Sequence, residues 1–213
     1  MEQLANKLAV KIAEKIELDQ EKKAVIAYGL IGILQITTLF ILVTVLGIIS
    51  GTFYESLIIF FSVGFMRKST GGAHSKSMWG CNAVSVLSIL LLAILSRYIL
   101  VMSIPKGVNI AITVAVFAAG LFVFYKKVPV DSPNKPITSK DKIRRLRKES
   151  YMKLLFLFAV TLLSIHYAES SSRFYSVSFS LRVALLWQMI TLTDLGASFL
   201  KKADMTISSF LKL

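Results

Sequence analysis

Cys81 is the only cysteine in the sequence, and His74, seven residues before it, is one of two histidines. A cysteine attacks as its thiolate, which near neutral pH needs a base or cationic neighbours. His74 supplies the base. Arg67, Lys68 and Lys76 supply positive charge in the same stretch, residues 66–82, MRKSTGGAHSKSMWGCN. Such a set can carry nucleophilic catalysis. Gly71 and Gly72 shape the backbone before His74, and their N–H groups are candidate oxyanion donors. Arg67 orients a substrate carboxylate, supports the glycine turn or anchors the chain at a membrane boundary. Asn82 and Ser77 are local candidates for a third catalytic group; a helix cap is their other reading. Spacing alone also permits an inert small cysteine beside a structural histidine.

Other chemistries fit less well. A zinc site wants three or four ligands. There is no second cysteine, and His166 belongs near the outer face, so no metal and no cofactor are expected. The glycine pair lacks the spacing of a nucleotide-binding phosphate loop. On one straight helix, His74 and Cys81 would share a face but stand about 10.5 Å apart along the axis. A direct pair therefore requires a bent or non-helical segment between them, which Gly71, Gly72 and Gly80 allow.

The elements that must hold this stretch are apolar. Of 213 residues, 55% are hydrophobic and only 17% charged. Soluble domains are usually less apolar and more charged. This excludes an ordinary cytosolic enzyme, a disordered chain and a disulfide-stapled secreted domain. A bilayer crossing takes about 20 mostly apolar residues. Runs lie at residues 28–49, 53–66, 83–102, 108–125, 154–167 and 177–195. The second and fifth are short, so they tilt, re-enter or extend through interfacial residues. The sequence predicts an all-α, polytopic membrane bundle of about six transmembrane or re-entrant helices, in one integral membrane domain spanning 1–213.

The net charge of +13 marks a membrane surface in so apolar a chain, not nucleic acid. With the N-terminus inside, segments 1–27, 67–82, 126–153 and 196–213 face the cytoplasm and hold 21 of the 25 basic residues. Arg97 and Arg182 fall within spans toward the outer side, where a long side chain snorkels. Residues 1–27 read as an amphipathic interfacial or packed helix, not a signal peptide, with a weaker amphipathic repeat at the C-terminus. Segment 126–153 is a basic loop. Pro129, Pro133 and Pro136 disfavour helix in its first part, and Arg144, Arg145 and Arg147 cluster in its second. This cluster holds anionic lipid or docks an acidic partner segment.

The run Arg67-Lys68-Ser69-Thr70-Gly71-Gly72-Ala73-His74 followed by Cys81 resembles the signature of the AgrB family, bacterial membrane cysteine endopeptidases of quorum sensing. The Asn134-Lys135-Pro136 triplet and the succession of spans are also similar to that family. The resemblance implies Cys81 as nucleophile and His74 as general base. It implies an AgrD-like precursor peptide as substrate, bound at the inner surface of the bacterial cell membrane. The family cleaves the precursor's C-terminal tail through a cysteine thioester, and an internal Cys or Ser then closes a thiolactone or lactone ring. An acidic precursor tail would suit Arg144, Arg145 and Arg147. The family is also regarded as dimeric, which exposed apolar helix faces permit. The alternative is a transporter or export component for a small peptide, without peptidase activity. The spans lack the midplane carboxylate and paired broken helices that would favour it.

Overall fold

Backbone polar groups in hydrocarbon must bond within their own segment, so apolar runs of this length become helices. A computed structural model describes residues 7, 10, 20–72, 78–99, 104–131, 139–169 and 171–210. Among these residues there is no strand. The helices are α1 (Gln20–Ile49), α2 (Phe53–Thr70), α3 (Met78–Ile94), α4 (Lys106–Lys127), α5 (Lys140–His166), α6 (Ser172–Leu192) and α7 (Asp194–Phe210). A π-helical turn, Leu95–Ile99, continues α3, and a 3-10 turn, Tyr167–Glu169, follows α5. The chain is an all-helical, multi-pass membrane bundle.

Four helical stretches are long and apolar enough to cross a bilayer: Val25–Ile49, Gly80–Tyr98, Lys106–Lys127 and Lys140–His166. A fifth span is formed if α6 and α7, bent by 90° at Thr193, are taken together. Helix α2 has 18 residues but carries Glu55, Arg67 and Lys68. Its polar side chains Glu55, Ser56, Ser62, Ser69 and Thr70 are buried. They turn into the bundle, so the low apolarity of α2 reflects an inward polar face. The short fifth run is the end of the 27-residue α5. The basic cluster 140–148, expected in a loop, forms the first turns of α5. Past Pro136 no proline or glycine interrupts it, and Lys, Arg and Leu are good helix formers.

The chain divides at Leu42 and Val43 into two units. In the N-terminal unit, α1 exposes Val25, Tyr28, Ile33 and Ile36, as a helix meeting lipid does. The second unit contains the rest. There α6 is the central helix, packed on α2, α4 and α5. Every residue from 178 to 185 is buried. Serines thin this helix and admit close neighbours. Two of their hydroxyls bond back to their own helix, Ser176 Oγ to the Arg173 carbonyl at 3.0 Å and Ser178 Oγ to that of Tyr175 at 2.8 Å, while buried Ser180 Oγ has no partner among the described residues. Across from them, a methyl on Gly120 of α4 would sit 3.2 Å from Leu185 and 3.5 Å from Leu154, so α4, α5 and α6 converge at that glycine.

Arg182 departs from the sequence expectation. It does not snorkel but is buried, 2% exposed. Its Nε donates to the Ser178 carbonyl at 3.1 Å, Nη2 to Ser178 Oγ at 3.2 Å and Nη1 to the Asn109 carbonyl at 3.4 Å. Its guanidinium also lies 4.2 Å from the Phe179 ring centre. Ser176, Ser178, Ser180 and Arg182 recur at every second position, which scatters them around α6, so hydropathy did not indicate which way Arg182 turns. Arg97 is 41% exposed and reaches buried Glu55 at 3.5 Å.

Candidate functional site

The last turn of α2 delivers Arg67, Ser69 and Thr70 and stops at Gly71. Gly71 has φ +73°, and its N–H donates to the Arg67 carbonyl at 3.0 Å. Gly72 follows with φ +144°. Both lie in backbone regions that favour glycine. Space gives a second reason. A side chain on Gly71 would run into the Val130 carbonyl. One on Gly72 would stand 3.2 Å from Thr191 Oγ1 and 3.8 Å from the Arg67 guanidinium carbon.

Two distant segments clamp this turn. The extended stretch after α4 supplies Val130, whose N–H donates to the Thr70 carbonyl at 2.8 Å. Arg147 of α5 steadies that stretch, its Nε donating to the Val128 carbonyl at 3.1 Å. From α6, the Gln188 Nε2 donates to Thr70 Oγ1 at 2.8 Å and to the Gly71 carbonyl at 3.0 Å.

Beside the clamped turn is a small open cavity lined by Arg67, Cys81, Val84, Ser85, Trp187, Thr191 and Leu200. Its volume, about 20 Å³, admits one water. Helical spacing explains the lining. Cys81, Val84 and Ser85 share one face of α3, and Trp187 and Thr191 lie one turn apart on α6. Leu200 arrives because the chain turns through 90° into α7. Thr193 builds that turn: its Oγ1 donates to the Ile190 carbonyl at 2.8 Å and accepts from the Gly196 N–H at 3.0 Å. A side chain on Gly196 would collide with the Ile190 carbonyl. Lys127 at the end of α4 and Asp194 at the start of α7 form an ion pair at 2.7 Å.

Cys81 is a free, half-buried thiol, fourth in α3. Burial pushes the Arg67 guanidinium below its ordinary range, and the charge that Cys81 can carry pulls it back up. Asn82 is 2% exposed, and among the described residues neither end of its amide has a hydrogen-bond partner.

The site therefore gathers Arg67, Gly71, Gly72 and Cys81 from the expected set. His74, Ser77 and the expected break between His74 and Cys81 lie outside the described residues. Arg144 and Arg145 are exposed on the first turns of α5, Arg145 lying 3.8 Å from Glu149. Arg147 is engaged with Val128. Sequence reading missed Thr70, Val130, Trp187, Gln188, Thr191 and Leu200. The one signal for them was the pair Gln188 and Thr191, polar residues inside an apolar run. Among the described residues no three His, Cys, Asp or Glu gather as a metal would need.

The sequence profile of the family described as accessory gene regulator B, AgrB, matches residues 5–192. The chain belongs to the AgrB family. It is 30% identical over 206 residues to a protein described as AgrB-like in Clostridium perfringens strain SM101, and 30% identical over the same length to an AgrB-like protein 2 of Clostridium perfringens strain 13. Each alignment covers 96% of both chains. An AgrB-like protein of Clostridium acetobutylicum is 25% identical over 167 residues, 76% of this chain and 75% of the relative. No solved structure matches the chain significantly. Family membership places it in the agr quorum-sensing system.

Proposed function

We propose that the chain is a membrane cysteine endopeptidase that removes the C-terminal tail of a short AgrD-like precursor peptide and promotes its cyclisation. The observation that carries this reading is the shared cavity of Cys81 and Arg67 beside the clamped Gly71 and Gly72 turn, in a chain of the AgrB family. In this reading the Cys81 thiolate attacks the scissile carbonyl. His74 takes the thiol proton, a C–S bond forms, the C–N bond breaks, and His74 passes that proton to the leaving amine. The acyl group remains on Cys81 as a thioester. An internal thiol or hydroxyl of the peptide, giving its proton to His74, then attacks the thioester carbonyl; the new C–S or C–O bond closes a thiolactone or lactone, and the bond to Cys81 breaks to return the thiolate.

The surroundings support each step. Arg67 favours the thiolate by its charge. A bound peptide that fills this small cavity displaces its water, which gives ring closure time to compete with hydrolysis of the thioester. The basic segments favour a site on the cytoplasmic face, where the exposed Arg144 and Arg145 meet an acidic precursor tail. Helix α7 exposes Leu195, Phe199 and Met205 alongside Lys201 and Lys202, a pattern suited to lying in the interface beside the site.

The test is co-expression of the precursor with the wild-type chain and with Cys81→Ala. Tail release must depend on Cys81, and mass spectrometry must find an acyl adduct on that residue. Tail release by Cys81→Ala at the wild-type rate would remove the reading.

A further inference from the structure

We propose that Gln188 is a positioning residue of this site, holding the Gly71 and Gly72 turn in its working shape through its two donated hydrogen bonds. The inference rests on the peptidase reading above.

Gln188 is fully buried in the last turns of α6, 117 residues from Gly71. Its Nε2 spends both protons on the turn, one on Thr70 Oγ1 and one on the Gly71 carbonyl. The Gly71 carbonyl fixes the peptide plane joining Gly71 to Gly72, since C=O and N–H are rigidly opposed in a trans peptide. Glycine puts no steric limit on that plane, so an external bond has to set it. The chosen orientation brings Gly72 against Thr191 and Arg67, two walls of the Cys81 cavity. The neighbours of Gln188 on α6, Trp187 and Thr191, are themselves cavity walls. One turn of α6 therefore both walls the cysteine and ties down the backbone that leads toward His74.

Stability does not explain this amide. Among the described residues its Oε1 is buried with no hydrogen-bond partner, a cost that an apolar side chain of the same length would avoid. Methionine fills the same space without donating.

The test compares Gln188→Met with the wild type in lipid nanodiscs, reading precursor cleavage and backbone hydrogen exchange. Positioning predicts a kcat lower by about tenfold or more, with KM within about twofold. It also predicts about tenfold faster exchange in peptides covering residues 69–72 and 130, with exchange in α4 unchanged. Wild-type kcat in Gln188→Met, or unaltered exchange at the turn, overturns the proposal. Should Gln188→Met fail to fold, Thr70→Val removes one of the two acceptors and predicts a several-fold loss of kcat; unchanged kcat there overturns it equally. When both variants fold, their combination must be no worse than Gln188→Met alone, and additive losses count against it. Faster exchange at the turn without any Cys81-dependent cleavage by the wild type sinks the peptidase reading instead, because exchange needs no precursor.

Discussion

Arg67 and Cys81 come from two helices separated by the Gly71 and Gly72 turn, yet they line one cavity. Burial holds this guanidinium below its ordinary range, and negative charge on the nearby Cys81 sulfur acts against that. Arg67→Gln should therefore slow alkylation of Cys81 by iodoacetamide at pH 7 by several-fold, up to about tenfold per lost pK unit of charge support. The sign follows from charge: removing a cation disfavours the anion. The difference should narrow at alkaline pH, where a thiol ionises with less help from a cation. Cys81 is the only thiol, so the whole rate reports this site. Equal rates at pH 7 would show that Arg67 does not act on the sulfur.

The glycines separate into required and replaceable. Gly71 has positive φ and faces the Val130 carbonyl, and Gly196 faces the Ile190 carbonyl, so neither has room for a methyl. Gly71→Ala and Gly196→Ala should each lower stability by about 2 kcal/mol or more. Gly64, in the middle of α2, has nothing within 4 Å of where a methyl would sit. Gly64→Ala should leave stability unchanged or raise it by about 0.5–1 kcal/mol. Thermal unfolding of the three variants in one detergent orders them; a Gly64→Ala midpoint below that of Gly71→Ala would contradict the packing.

How far the sequence could be read depends on the range of the interaction. Helix content and the break after Thr70 are local: apolar runs and two adjacent glycines announce them. The joint face of Cys81, Val84 and Ser85 also follows from helical spacing. The clamp does not, because Gln188 and Gly71 are 117 residues apart and neither sequence neighbourhood names the other. Arg182 shows a related limit. A helix whose polar residues are scattered around it, as Ser176, Ser178, Ser180 and Arg182 are, has no single stripe to orient it, so an outward arginine and a buried one read alike. For 140–148, charge suggested a loop while composition favoured helix, and helix propensity prevailed.

Glu55 is buried in the first turn of α2 and meets half-exposed Arg97 at 3.5 Å. Removing the arginine strands a carboxylate in the bundle. A fully buried pair loses about 3–5 kcal/mol when broken. Arg97 is 41% exposed, so water replaces part of its effect and Arg97→Ala should cost less, about 2 kcal/mol. Adding Glu55→Gln should recover most of the loss, because the stranded charge is gone. A double variant as unstable as Arg97→Ala alone would mean that the pair is incidental.

The basic cluster at the start of α5 should not act as one unit. Arg144 is exposed, so its contribution to binding an acidic precursor tail is long-range and screened. Arg144→Gln should raise the precursor KM by about 2–5-fold at low ionic strength, with the effect fading as the screening length falls to about 3 Å near 1 M salt. Arg147 instead holds the Val128 carbonyl, close along the chain to the Val130 N–H that braces Thr70. Arg147→Ala should lower kcat at every salt concentration, because the lost bond is a short hydrogen bond within the fold. Michaelis–Menten measurements across a salt series separate the two. If Arg147→Ala lost only salt-sensitive binding, as Arg144→Gln does, then Arg147 would belong to the docking surface and the brace on Thr70 would stand without it.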